Sequence, residues 1–246
     1  MRLTVVGCSG SAPGPASPAS CYLVEHDGFR LLLDLGNGSF GALQGLLDPD
    51  AVDAVYLSHL HADHCLDVAP FVVWHRYSGR SSGRRVPLYA PVDADRRLAL
   101  AYDGDGAALD DVFDFVPVGP GAFTLGPFGV RTARTAHPIE CHAVRLTAAG
   151  RSLVYTGDTG PCDRVVELAR GADALLAEAA FPEGPGLPEA LHLTGRQAGE
   201  HAAAAGVARL LLTHVPPWVD ADAQFAAASA VFPNTELVRP GATYDV

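Results

Sequence analysis

The sequence predicts an α/β domain in which two β-sheets pack face to face and carry helices on both outer sides. Three observations predict it. Candidate strands come first, each followed by a hairpin or a helix, and this order runs through the chain twice, as a layered sandwich requires. Several strand candidates, residues 51–57, 174–178 and 207–213 among them, are near-continuous apolar runs of the kind that are buried on both faces. The third is size: 246 residues with 48% hydrophobic content can bury a substantial core and fall within the range of one domain spanning 1–246.

Each element has its own reason. Residues 3–6 form a strand that ends at Gly7, and 7–20 is too rich in Gly, Ser and Pro for regular structure. Residues 21–25 and 29–34 flank Asp27-Gly28, a hairpin signal. A short helix over 40–47 precedes the buried strand 51–57, which the Asp48-Pro49-Asp50 turn introduces. Residues 66–77 have helical spacing, with Pro70 tolerated only in the first turns; Trp74 and Tyr77 read as packing residues. Arg76, Arg80, Arg84 and Arg85 lie in a Gly/Ser-containing segment that is either a mobile lid or a plain surface loop.

Strands follow at 86–90 and 113–118 around a helix at 93–102, then hairpins with arms at 123–125 and 130–133 and at 143–147 and 153–156. A helix over 161–170 stops at Gly171, and strand 174–178 ends in Glu178, a buried carboxylate that needs a partner. Thr194 and Gln197 have capping-box spacing for a helix over 196–205 that Gly206 ends. Strand 207–213, a closing helix at 225–231 and a terminal strand within 237–246 complete the chain.

Composition excludes several classes. A formal charge of −11 opposes extended nucleic-acid binding, which rests on neutralising phosphates with basic residues. All 17 basic residues are Arg, which with the Ala, Gly and Pro content reflects a GC-rich genome more than function. No stretch reaches the roughly 18 apolar residues of a membrane span, and Met1-Arg2 leads straight into a strand without a signal-peptide core. Five cysteines without CxxC spacing read as reduced thiols, so a cytoplasmic location is expected, with Cys65 a small buried hydrophobe. The oligomeric state is open, a homodimer included.

The chemistry concentrates in Ser58-His59-Leu60-His61-Ala62-Asp63-His64, on the loop that ends strand 51–57. Imidazole and carboxylate donors without paired thiolates suit Zn, Mn or Fe and argue against a structural zinc ribbon. Because His59 and His61 are two apart and Asp63 and His64 adjacent, one loop can hand a pair to each of two ions. Ions roughly 3.5–4 Å apart would favour in-line displacement at phosphorus.

This motif resembles the HxHxDH motif of the metallo-β-lactamase fold, in the branch with a final His that includes ribonuclease Z and glyoxalase II. True β-lactamases lack that His, so His64 points away from antibiotic hydrolysis. The resemblance covers nearly the whole chain and implies a four-layer αββα sandwich. It implies that His137, Asp158 and His214 complete two divalent-metal sites with His59, His61, Asp63 and His64, Asp158 bridging both. It also implies that Asp34, in Asp34-Leu35-Gly36-Asn37-Gly38, braces the metal loop without being a ligand, and that Glu178 orients His192 toward the scissile phosphate. The loop after the first strand would lie near the metal cleft, where Ser9, Ser11 and Ser20 could donate to a phosphate. His26, His75, His142 and His201, in a turn, a helix, a hairpin and an exposed helix, match no motif and read as structural.

The implied reaction is hydrolysis of a phosphodiester by a hydroxide held between the ions, with Asp63 taking its proton and His192 assisting departure. Ribonuclease Z of the usual type inserts a tRNA-gripping arm between its counterparts of His137 and Asp158, where only residues 138–157 are available here. A small phosphodiester is therefore the expected substrate. Gly7-Cys8-Ser9-Gly10-Ser11, Gly157-Asp158-Thr159-Gly160 and Leu212-Thr213-His214-Val215-Pro216-Pro217-Trp218 resemble actinobacterial atypical class II cyclic-nucleotide phosphodiesterases, which makes 3′,5′-cAMP the leading candidate. An arm-less RNA 3′-end nuclease and a non-catalytic metal or nucleotide-binding module are the rivals.

Overall fold

The computed structural model describes residues 1–104 and 108–246. The first sheet contains β1 (Arg2–Gly7), β2 (Cys21–His26), β3 (Phe29–Leu33), β4 (Ala54–Tyr56), β5 (Val86–Ala90) and β6 (Phe113–Pro117) in that order, with β14 (Thr243–Asp245) on the outer side of β1. Pairing is antiparallel from β14 to β3 and parallel from β3 to β6. The second sheet runs β7 (Gly121–Leu125), β8 (Phe128–Arg134), β9 (His142–Ala148), β10 (Arg151–Tyr155), β11 (Ala174–Glu178), β12 (Leu210–Thr213) and β13 (Thr235–Leu237). It repeats the plan, antiparallel as far as β10 and parallel beyond.

Alternation along each strand explains the layers. On β3, Leu31 and Leu33 join Leu3, Val5 and Tyr22 against Phe128, Leu146 and Tyr155 of the second sheet. Leu32 points the other way, into a cluster with Phe40, Phe71 and Leu98 from α1 (Ser39–Leu43), α3 (Val68–Tyr77) and α4 (Ala94–Asp103). On the far side, Leu175, Ala177 and Leu212 meet Val165, Ala198 and Ala228 from α5 (Asp163–Ala169), α6 (Gly195–Ala205) and α7 (Ala221–Val231). Both faces of each sheet are covered, so central strands are apolar throughout instead of alternating. The four-layer αββα sandwich is the observed architecture.

Several boundaries differ from expectation. The helix expected over 40–47 ends at Leu43, and the strand expected over 51–57 shortens to β4 because Pro49–Ala51 wind into a 3₁₀ turn capped by the Asp48 side chain. The closing helix starts at Ala221, where the Asp220 carboxylate accepts from the N–H groups of Asp222 and Ala223. The terminal segment makes two strands, β13 in the second sheet and β14 in the first. Trp74 packs on Phe71, but Tyr77 is 73% exposed and packs no core. His201 is buried, its Nδ1 donating to the Gln197 carbonyl and its Nε2 accepting from the Cys162 N–H.

Residues 76–85 do not lie over the metal loop. Arg76 pairs with Asp111, Arg80 with Asp48, Arg85 with Asp114, and Arg84 donates to the Val52 carbonyl. These partners flank the N-terminal ends of β4 and β6, whereas the metal motif follows the C-terminal end of β4. The segment is a surface connection at the opposite ends of the strands. Among the described residues, no helix is long and apolar enough to cross a membrane.

Candidate metal centre

Both sheets present ligands beyond the C-terminal ends of their strands. His59 and His61 follow β4 on an extended loop, while Asp63 and His64 ride on the short helix α2 (Ala62–Cys65), so only half of the motif is loop. His137 follows β8, Asp158 follows β10 and His214 follows β12. These seven side chains gather into two groups, His59, His61, His137 and Asp158 on one side and Asp63, His64, His214 and Asp158 on the other, the donor atoms of each lying within 4.8 Å of one another. Asp158 divides its oxygens: Oδ2 is 3.6 Å from His59 Nε2, and Oδ1 is 3.1 Å from His64 Nε2 and 3.3 Å from His214 Nε2.

The donor atoms fit two divalent cations. His59 Nε2 and His137 Nε2 stand 3.1 and 3.2 Å from the same His61 Nδ1, and one proton there could serve only one of them. Among the described residues, His64 Nε2, Asp158 Oδ1 and His214 Nε2 are buried with no well-aligned hydrogen bond despite their close approach, a costly state for atoms that converge on one point unless a cation satisfies them. Four of the five ligand rings have the opposite nitrogen held: His59 Nδ1 by Ser58 Oγ at 3.0 Å, His64 Nδ1 by Asp34 at 2.7 Å, His137 Nδ1 by the Leu191 carbonyl at 3.0 Å, and His214 Nδ1 by Ser20 Oγ at 2.8 Å. Such contacts fix ring orientation and tautomer in metal sites. Burial and the neighbouring rings push the pKa values of His59, His61 and His137 down, toward the neutral form that ligates. Burial opposes the charge of Asp158, yet His214, His64 and His59 outweigh it and hold the carboxyl well below its usual range.

Asp34 organises the layer behind the ligands. Its carboxylate accepts from the Ser58 N–H, the Ser58 hydroxyl, the His64 ring and the Tyr155 hydroxyl, at 2.6 to 2.8 Å. Its φ of +60° is a left-handed conformation that a non-glycine residue adopts at a cost, as is the +56° of His214. Two residues on, Gly36 has no room for a side chain, since a Cβ there would lie 2.0 Å from the Asp63 carbonyl. An Asp34→Asn protein cannot accept all four donors and is expected to bind metal about 10–100-fold more weakly. Competition with a chromophoric chelator measures this, and an unchanged affinity would remove the bracing role.

Glu178, buried at the end of β11, accepts from the Thr159 N–H at 2.7 Å, the Ala180 N–H at 3.2 Å and His192 Nδ1 at 3.0 Å. His192 stands 3.8 Å from Asp158 Oδ2, facing the metal ligands. Burial alone would lower its pKa, but Glu178 outweighs that and holds it up to about 9.

The three serines divide. Ser9 Oγ donates to the Ala12 carbonyl and Ser20 holds His214, so neither hydroxyl is free for a phosphate. Ser11 lines a cleft beside His192. The loop 7–20 is thus where the resemblance placed it, but chiefly as a support: Gly10 lies so close under the His214 carbonyl that a Cβ would come within 2.2 Å. Sequence reasoning misses Ser58 and Tyr155; Ser58 directly precedes the motif, whereas nothing in the sequence marks Tyr155, which reaches Asp34 from the other sheet.

Fold and donor set together define the class, a metallo-hydrolase with two facing sheets and, between their strand ends, a donor cluster that fits two metal ions. The chain belongs to the β-lactamase superfamily, whose domain model matches residues 30–215. It is 47% identical to the uncharacterised protein Rv1339 of Mycobacterium tuberculosis, over 94% of this chain and 87% of that one. It is 32% identical to the probable metallo-hydrolase YhfI of Bacillus subtilis, over 88% and 87% of the two chains. The crystal structure of YhfI superposes with a TM-score of 0.89 at 29% identity, covering 99% of this chain and 98% of that one. Ribonuclease Z of Myxococcus xanthus is 31% identical over 90% of this chain and 89% of its own.

Proposed function

We propose that the protein is a dinuclear-metal phosphodiesterase acting on a small phosphodiester, with hydrolysis of 3′,5′-cAMP to 5′-AMP as the leading reaction. The observation that carries this reading is the His192–Glu178 pair placed against the shared ligand Asp158, in a chain with no inserted arm. Residues 142–155 between His137 and Asp158 are consumed by the β9–β10 hairpin, paired within the sheet. The match to the Myxococcus enzyme runs over 277 positions while using 90% of this 246-residue chain, so roughly fifty residues of that ribonuclease have no counterpart here. The charge of −11 also favours a small ester over a long polyanion.

Two divalent ions, Zn, Mn or Fe, would supply a Lewis acid for the phosphoryl oxygens and a nucleophile at neutral pH. The side chains do the rest. Burial opposes the charge of Asp63, but His64 and His214 outweigh it and keep the carboxylate ionised. In this reading that carboxylate accepts the proton of the attacking water. The water oxygen bonds to phosphorus, the P–O3′ bond breaks, and His192 gives O3′ its proton. Since His192 Nδ1 is committed to Glu178, its Nε2 is the nitrogen left to meet the substrate.

The test is to incubate metal-loaded protein with 3′,5′-cAMP and follow 5′-AMP by chromatography, beside chelator-treated protein and an Asp63→Ala variant. Turnover that disappears in both controls is expected; equal turnover in all three would sink the metal mechanism. The relationship to ribonuclease Z supports a second reading, an arm-less RNA 3′-end nuclease using the same ligands. It requires structured RNA to be cleaved faster than the cyclic mononucleotide.

A further inference from the structure

Beside the metal ligands a cleft of about 370 Å³ opens from His192, between the segment after β11 and the loop after β12. Its walls are apolar and aromatic: Phe181, Leu191, Pro216 and Trp218 face it with His192, and Phe181 meets the His192 ring edge-on at 5.0 Å. Trp218 is 69% exposed, and with Phe181, Leu191 and Pro216 beside it in the same cleft it belongs to a grouped apolar surface instead of standing alone. It sits four residues after the ligand His214, so the same loop sets both the metal centre and the cleft rim. The charge of the cleft decides what enters. No lysine or arginine occurs among the described residues that line it, and Asp220 contributes a carboxylate. A phosphate would be repelled there, whereas a flat, uncharged ring would be stacked and desolvated.

We propose that this cleft is the base pocket of the phosphodiesterase: it receives the nucleobase of the substrate against the Trp218 indole while the phosphate lies at the metal ligands. The inference rests on the phosphodiesterase reading. Every base has a π-face, so stacking on one indole holds adenine, guanine and pyrimidines with little distinction, and weak preference among bases follows. What the pocket selects is the presence of a base at all.

Two measurements on metal-loaded wild-type and Trp218→Leu proteins test this. The first compares kcat/KM for the p-nitrophenyl ester of thymidine 5′-monophosphate with that for methyl p-nitrophenyl phosphate, which shares the leaving group but lacks the nucleoside. The wild-type preference for the nucleoside ester is expected to fall about tenfold in the variant, through KM rather than kcat. The second is tryptophan fluorescence with adenosine, which carries no phosphate. Quenching is expected in the wild type and not in Trp218→Leu, where the buried Trp74 remains as an internal reference. An unchanged preference ratio together with adenosine-independent fluorescence overturns the base pocket while leaving the phosphodiesterase reading intact. Adenosine quenching of Trp218 without hydrolysis of cAMP or of either ester upholds a base-binding cleft and removes the phosphodiesterase reading.

Discussion

An Asp158→Ala protein is expected to lose both halves of the metal centre, its metal content falling from about two ions per chain to below one. Phosphodiester turnover should fall with it by at least about 10³-fold, the loss of several kcal/mol of charge stabilisation. Asp158 alone belongs to both donor groups, one oxygen facing His59 and the other facing His64 and His214. Alanine would leave these imidazoles without the negative charge that would offset two dications, and solvent cannot replace that charge because the position is buried. His61→Ala, by contrast, removes a donor from one group only and should leave the other loaded. Metal analysis of protein purified without chelator decides the matter: retention of nearly two ions per chain by Asp158→Ala would end its assignment as the shared ligand.

His192→Ala should separate chemistry from metal binding. It clusters with Asp158 and Glu178 but belongs to neither of the two groups formed by the seven ligands, so metal content is expected to stay at the wild-type level. Turnover of cAMP should drop by about 10²–10⁴-fold, the usual worth of a positioned acid. A ribose oxygen is a poor leaving group that needs a proton as the P–O bond breaks, while p-nitrophenolate departs without one. The same variant should therefore lose far less activity toward a p-nitrophenyl ester. Equal losses on both substrates would show that His192 positions or binds instead of donating a proton. Glu178→Gln should act in the same direction but more weakly, because the Glu178 carboxylate holds the His192 ring and nearby N–H groups and works by positioning.

Most of the architecture was legible because local patterns and layer positions agree. The apolar runs became central strands, and the capping box at Thr194 and Gln197 formed as its spacing predicts. The donors His59, His61, Asp63 and His64 were conspicuous by spacing; His137, Asp158 and His214 are isolated residues at strand ends and became legible only through family resemblance. Contacts made across the sandwich were not legible at all. Tyr155 meets Asp34 across 121 residues, and Ser20 meets His214 across 194, so no local signal could name either partner. His201 illustrates the same limit, since helical spacing cannot reveal that the Cys162 N–H waits beneath its ring. Ser9 and Ser20 turn to the protein for a related reason, since a hydroxyl near a cleft is as ready to satisfy the protein as a substrate, while Ser11 keeps its place on the cleft.

The Asp34 carboxylate has a consequence for how this protein can change. It ties β3 of one sheet, through Tyr155, to β10 of the other, and with the same two oxygens it sets Ser58 and His64. Elsewhere a buried polar cluster can be exchanged for well-packed apolar side chains with little loss or even a gain in stability. Here that exchange would trade away the catalytic geometry, because cohesion between the sheets and aim of the ligands are one set of bonds. Selection for thermal robustness therefore has to proceed on the outer helices and surface connections, and Asp34, Ser58 and Tyr155 form a frozen core around which such variants must accumulate.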